Sequence, residues 1–339
     1  MNNPLQNLIE KHAGAGLVPR ARQFLAGLAE DFWADAPLDP AQFDWLPAGL
    51  KKHLFGDRPA APAAPAPPNK KAAPAKAVAP AATPQPKAPP WRAAPGEVAE
   101  TMWGAGYVLP AGEAVGDLLT KPLGLKADSN LLDLTAGLGG GLRRFAGKVG
   151  LLKGLEPDAA LAARGMDLSA KAGKAKQAPV EAYDTATFAV PPTYDAAIAR
   201  ELFYRVADKP AFFMAIADGL KQGAQIAFTD YIVDPENREK PAILQWQAHE
   251  KGAAPLGLIE MAQAWAKAGF EMRASEDETP LYMREGIGGL QRLVAFLAGH
   301  KPDRATKQEI LREVELWVYR MAAMEQGMKF YRFHAVRQG

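Results

Sequence analysis

Residues 131–147 read LLDLTAGLGGGLRRFAG, from Leu131 to Gly147. A short apolar run ends in Asp133, and four residues later a glycine cluster begins, directly ahead of a segment with helical character. A strand that closes on a glycine-rich turn lets a ligand approach the backbone, and the helix that follows offers free N–H groups and a positive dipole end. The turn therefore reads as a cofactor cradle. A dinucleotide-binding turn has the pattern G-x-G-x-x-G. Gly137 and Gly139 satisfy its first two positions, but the third is Leu142, which counts against an NAD(P)-linked oxidoreductase.

The sequence around this turn alternates between two periods. NLLDLTA, GLLKGLEP, APVEAYD, YDAAIAREL, AQIAFTDYIV, EMRASEDET and MKFYRFHAVR read as strands. Between them, GGLRRFAGKV, DAALAARGMDLSAKAG, KPAFFMAIADGLKQG and LIEMAQAWAKAGF read as helices. A last, long helix over TKQEILREVELWVYRMAAMEQG sets Ile310, Val314, Trp317, Met321 and Met324 on one stripe. Alternation of this kind predicts an α/β fold with a doubly wound, mostly parallel seven-stranded sheet covered on both faces. Ligands of such sheets bind beyond the carboxyl ends of the strands, near the switch point.

Composition narrows the function class. A hydrophobic share of 48% supports a sizeable core, and 40 basic against 38 acidic residues leave a net charge of only +2. No concentrated basic excess marks a dedicated nucleic-acid binder. The chain has no cysteine, which removes disulfides, thiolate metal sites and Cys nucleophiles. His249, His300 and His334 lack metal-ligand spacing, so no metal is expected. The amino terminus MNNPLQNLIEKHAG has no signal-peptide pattern, and no run has the length of a spanning helix. The expectation is a soluble cytoplasmic protein.

The chain divides into three parts. Residues 1–57 read as a small helical module, with Leu5, Leu8 and Ile9 in one short helix and Phe24, Leu25, Leu28 and Phe32 near one face of another. So short a module is marginal alone. It is expected to dock on a protein partner, on a second copy or on the following domain. Residues 58–90, RPAAPAAPAPPNKKAAPAKAVAPAATPQPKAPP, hold 11 of the 29 prolines and almost no large apolar side chain. They cannot build a core and read as a disordered, extended linker. Residues 91–339 carry the alternating pattern.

The acid ahead of the glycines resembles a known motif. D-x-x-x-G-x-G-G, from Asp133 to Gly140, is similar to motif I of the Rossmann-like S-adenosylmethionine (SAM) methyltransferases. Glu156 ends the second strand in LKGLEP, Asp184 ends the third in VEAYDTATF, and YDAAIARELFYRV resembles the fourth strand and its loop. The resemblance implies SAM as cofactor, held by Asp133, Gly137, Gly139, Gly140, Glu156, Asp184, Thr185 and Arg200. Glu156 would meet the ribose hydroxyls and Asp184 the adenine amino group. MWGAGYVLPAGEAVGDLLTKPLGLKADSN before motif I, the Thr229-Asp230-Tyr231 triplet in IAFTDYIV, and the closing helix with Trp317 and Arg320 resemble the phosphoethanolamine and related small-amine N-methyltransferases. The likeness spans about residues 91–338.

The departures from that family concern the acceptor. Thr135-Ala136 stands where motif I commonly has Gly and a small residue, and the lid VLPAGE lacks the usual Ser and paired Gly. The family's tyrosine–histidine dyad falls at Trp91 and Arg205, beside Tyr204, and two further phosphate contacts fall near Lys251 and Ala253. The remaining acceptor-site candidates are Trp91, Tyr107, Arg205, Tyr231 and Arg320, with Tyr231 and Tyr204 as candidate catalytic groups. The resemblance thus implies methyl transfer to a small polar acceptor, an amine or a phospho- or carboxylate-bearing metabolite. The rival expectation is a degenerate methyltransferase that serves as a SAM-binding or structural partner. The two differ only in whether S-adenosylhomocysteine (SAH) is ever made.

Overall fold

The computed structural model describes residues 89–297 and 299–339. The small module over residues 1–57 and nearly all of the Pro/Ala-rich linker lie outside the described residues.

Seven strands form one sheet in the order β3-β2-β1-β4-β5-β7-β6. They are β1 (Asn130–Asp133), β2 (Leu151–Glu156), β3 (Val180–Ala182), β4 (Tyr194–Arg200), β5 (Leu220–Ile232), β6 (Phe270–Asp277) and β7 (Lys329–Arg337). The first five run parallel, while β7 lies antiparallel between β5 and β6. The chain leaves β1 toward β2 and β3, then crosses back to β4 on the other side of β1. The switch point therefore lies between β1 and β4, where Leu131 pairs with Ala196 and Asp133 with Ile198. A crevice opens there beyond the carboxyl ends.

The short central strand β1 is buried on both faces, which explains why consecutive residues Leu131 and Leu132 are both apolar. On one face, α5 (Lys209–Gly219) and α7 (Leu258–Lys267) set Phe212, Phe213 and Trp265 against Phe203, Phe228 and Phe333. Phe213 and Trp265 stack with centroids 4.3 Å apart. Burial of each such ring stabilises the fold by roughly 1.5–3 kcal/mol. On the other face, α2 (Gly112–Thr120), α3 (Gly140–Phe145) and α4 (Ala159–Lys171) pack through Val115, Leu119, Leu142 and Ala162 on Leu131, Leu152 and Ile198. Asp158 caps α4, its Oδ1 accepting the amides of Ala160 at 2.8 Å and Leu161 at 3.1 Å, a device worth about 1 kcal/mol.

A second core lies beside the crevice. It is built by α1 (Glu97–Trp103), α6 (Pro241–His249), α8 (Thr279–Leu297) and α9 (Arg304–Glu325). Trp103, Trp246, Tyr282 and Trp317 meet there with Tyr231 and Phe330 from the sheet and Tyr204 from the turn after β4. α9 is the long carboxyl-terminal helix expected from periodicity, and Ile310, Trp317, Met321 and Met324 are buried as that stripe requires, with Val314 half-buried at its edge. No helix among the described residues is long and apolar enough to cross a membrane.

Candidate functional site

The glycine turn sits at the mouth of the switch point. Beyond Asp133 the backbone leaves the sheet, and Leu134 N still donates to Ile198 O at 2.9 Å. Thr135 then bridges the two diverging strands, its Oγ1 accepting the Arg200 amide at 2.7 Å. Gly137 and Gly139 adopt φ of +54° and +73°, a region costly for any residue with a Cβ. Gly137 N donates to Glu156 Oε2 at 2.8 Å, and Asp158 N donates to Glu156 Oε1 at 3.0 Å. The carboxylate that ends β2 is thereby fixed against the turn by two backbone amides.

Burial governs the charge of both acids. The Asp133 carboxyl is pushed up to about 7 by burial, against the opposing hydrogen bond from the Thr135 amide, and the nearby Glu156 charge adds to the rise. Glu156 is raised for the same first reason, with its two backbone donors pulling the other way. A positive charge arriving beside either acid would favour its ionised form.

A cavity of about 690 Å³ extends from this turn to α9. Glu156, Pro157, Thr185 and Arg200 line its sheet end; Glu309, Glu313, Trp317 and Arg320 line its far end. A smaller cavity of about 50 Å³ holds Asp133, Gly137, Tyr107 and Arg144, with Arg200 shared between the two. The Arg200 guanidinium holds the loop over the site, donating from Nη2 to Pro110 O at 2.6 Å and from Nη1 to Gly112 O at 3.4 Å. Its Nε is buried with no partner.

The floor of the far end is an ion network. Glu201, the residue after β4, is held at φ +53°. Its carboxylate accepts Tyr231 Oη and Arg320 Nη1, each at 3.0 Å, and Tyr282 Oη. Arg320 Nη2 also donates to Glu250 Oε1 at 2.7 Å and to Tyr204 Oη at 2.8 Å. Glu250 further accepts from Arg205, Tyr204 and Trp246 Nε1. Burial alone would raise the Glu250 carboxyl, but the Arg320 and Arg205 guanidinium groups and their hydrogen bonds hold it well below the usual range. Glu201, with burial outweighing Arg320, lies above that range.

The residues expected from sequence fall into distinct places. Asp133, Gly137 and Tyr107 line the small cavity, Glu156, Thr185, Arg205 and Arg320 the large one, and Arg200 both. Gly139 and Gly140 face protein instead: a Cβ on Gly139 would meet Arg143 Nη1 at 2.8 Å, and one on Gly140 would meet Gly106 O at 2.5 Å. Asp184 is exposed and turns back on its own loop, accepting the Ala186 amide at 2.9 Å. Trp91 lines neither cavity and packs on Phe296 with centroids 4.9 Å apart. Tyr204 and Tyr231 are fully buried beneath the cavity floor. Burial pushes both phenols upward, so they serve as hydrogen-bond donors and not as bases near neutrality. Glu201, which with Arg200 reads from sequence as a pocket residue after the fourth strand, lines the cavity, and Glu309 and Glu313 line it without having been singled out among the site candidates. Glu201 was signalled by its place after β4. Glu309 and Glu313 were signalled by spacing, lying 11 and 7 positions ahead of Arg320 on one side of α9.

A family model described as a methyltransferase domain matches residues 110–275, the stretch from the lid loop through β6. That match covers just under half of the chain. The chain adopts the fold found in SAM-dependent methyltransferases, as its likeness to solved structures shows. Phosphoethanolamine N-methyltransferase 2 of Haemonchus contortus, in complex with SAM, is 20% identical at TM-score 0.60, over 71% of this chain and 56% of that one. The [4+2]-cyclase SpnF is 18% identical at TM-score 0.55, over 67% of this chain and 81% of that one. A geranyl diphosphate C-methyltransferase of Streptomyces coelicolor A3(2), in complex with Mg2+, geranyl diphosphate and SAH, is 17% identical at TM-score 0.51, over 67% and 78%. The chain thus spans little more than half the length of the phosphoethanolamine enzyme. At such identities the likeness shows a shared fold, while the activities named for these proteins differ from one another. No curated protein matches the chain in sequence.

Proposed function

We propose that the protein transfers a methyl group from SAM to a small polar acceptor bound between the glycine turn and α9. The observation that carries this reading is Glu156. It ends β2 beside the switch point and is fixed by Gly137 N and Asp158 N, and it lines a cavity large enough for a cofactor with a small acceptor beside it. The residues present fit the cofactor. Glu156 offers a carboxylate to ribose hydroxyls, Pro157, Leu161, Leu202 and Val206 supply apolar wall, and Thr185 lies where the adenine edge is expected. The buried, unpartnered Arg200 Nε is a donor for a carboxylate, and Asp133 an acceptor for an ammonium group.

Bound SAM would supply an electrophilic methyl carbon on a sulfonium. The protein's own contribution is placement of the acceptor nucleophile and exclusion of water. The Arg200 bonds to the Pro110 and Gly112 carbonyls tie the lid loop to the end of β4, so a ligand on Arg200 and closure of the loop are mechanically linked. The Glu201–Arg320–Glu250 network is a rigid floor that fixes the orientation of α9 over the site.

The test is SAH formation from SAM with small amines, phospho-amines and hydroxy or amino acids. Turnover with one class establishes the enzyme. SAM binding without SAH formation from any of them favours the scaffold reading.

A further inference from the structure

The charge balance of the cavity narrows the acceptor class. This step rests on the methyl-transfer reading above. Three arginines border the cavity, and each is engaged. Arg320 is clasped by Glu201 and Glu250, with 1% of its side chain exposed, and Arg205 is paired with Glu250. Arg200 spans the cofactor end and is bonded to the lid carbonyls. Neither arginine that lines the cavity at its α9 end is left as an uncommitted cation.

The acids there are differently placed. Glu309 and Glu313 stand one helical turn apart on α9 and both line the cavity. Glu313 Oε1 accepts Trp317 Nε1 at 2.9 Å, which fixes the side chain and leaves its second oxygen for a ligand. Neither carboxylate has an ion-pair partner within 4 Å among the described residues; the Gly96 amide and the more distant Arg312 and Arg164 charges act on Glu309, and the Arg320 charge acts on Glu313. Two partly buried carboxylates with no ion-pair partner within 4 Å, at the end of a cavity where Arg205 and Arg320 are both paired with acids, form a site complementary to positive charge. A phosphate or carboxylate ester placed there would meet them as a like charge.

We propose that the acceptor is a cationic amine without a phosphate group, its ammonium held by Glu309 and Glu313. The carboxylates then have a second use. An ammonium nitrogen has no lone pair and must lose a proton before it can attack. Glu313, fixed by Trp317, accepts that proton. The freed nitrogen pair forms the new C–N bond as the C–S bond breaks and its electrons remain on sulfur, giving SAH and the methylated ammonium. Glu313 returns its proton to solvent, so the net release is one proton per methyl group.

The experiment uses the full chain. SAH is first titrated calorimetrically into the wild type, E313Q and E309Q. Equal SAH affinity in all three isolates the acceptor end, and absent SAH binding in the wild type would defeat the methyl-transfer reading itself. Ethanolamine, dimethylethanolamine and choline are then titrated into the SAH complex, with inorganic phosphate as the anionic probe. The expected result is that at least one amine binds, that each variant weakens it by about tenfold or more, and that phosphate neither binds nor competes. Normal SAH binding with no affinity for any of the amines, amine affinity indifferent to both variants, or tight phosphate binding would each overturn the assignment.

Discussion

Arg320 and Glu201 meet 3.0 Å apart on the cavity floor, with 1% and 2% of their side chains exposed. One comes from the carboxyl-terminal part of the last helix and the other from the residue after β4, so the pair locks α9 to the switch point. A buried ion pair of this kind gives little net stability, but removing one partner strands a charge. Arg320 serves two carboxylates, Glu201 and Glu250. Arg320→Met should therefore cost about 3–5 kcal/mol in urea denaturation at neutral pH. Adding Glu201→Gln and Glu250→Gln should restore a large part of that loss. A single variant as stable as the wild type would show that the pair does not hold the helix.

Asp133 gives a pH dependence with a definite sign. Its folded value is raised to about 7 by burial, while an unfolded chain titrates near 4. A carboxyl raised by folding adds nothing below the unfolded value. Stability then falls as pH rises from about 4 to about 7 and stays reduced above that window. Asp133→Asn keeps an acceptor for the Thr135 amide and removes the charge. In thermal unfolding without ligand, the variant should gain on the wild type as pH rises from 4 to 8. Its affinity for SAM, which carries an ammonium group, should fall by about tenfold or more. An unchanged stability difference across that range would contradict the account.

Gly140 tests a packing role against a ligand contact. Its amide donates to Gly106 O at 3.0 Å, and a Cβ there would lie 2.5 Å from that same oxygen. Gly140→Ala should displace the loop around Gly106 and cost about 1–3 kcal/mol, read by denaturant midpoint. A neutral substitution with selective loss of SAM binding would instead return Gly140 to direct cofactor contact.

The fold was legible because it rests on local signals. Strand runs such as LLDL, the glycine turn and the capped, alanine-rich α4 all announce themselves within a dozen residues. The helices α1, α2, α6 and α8 were not read. α8 carries Gly286, Gly288 and Gly289, which weaken a helical pattern in isolation. There Gly289 lies directly against Trp103, where a Cβ would fall 2.1 Å from the ring, so tertiary packing overrides propensity. Thr135 shows the converse: it looked like a tolerated departure from a motif, yet its hydroxyl carries the bond between β1 and β4.

The candidate site was half legible. Asp133, Gly137 and Glu156 follow from strand ends and a glycine turn, and the structure gathers them at the switch point. Glu250 could not be found that way. It sits just past the end of α6, and only the approach of Arg205 and Arg320 from 45 and 70 residues away gives it a role. Family resemblance places Trp91 and Asp184 near ligand, whereas Trp91 packs on Phe296 from the distant α8 and Asp184 accepts the Ala186 amide of its own loop.

The central claim is that the turn at Asp133 and the carboxylate of Glu156 hold SAM. Calorimetric titration of the full chain with SAH and with NADH, in the wild type and Glu156→Ala, tests it most directly. The account predicts micromolar SAH binding to the wild type, loss of about tenfold or more in the variant, and no NADH binding. SAH binding that is absent, or that survives the loss of Glu156 unchanged, would contradict it.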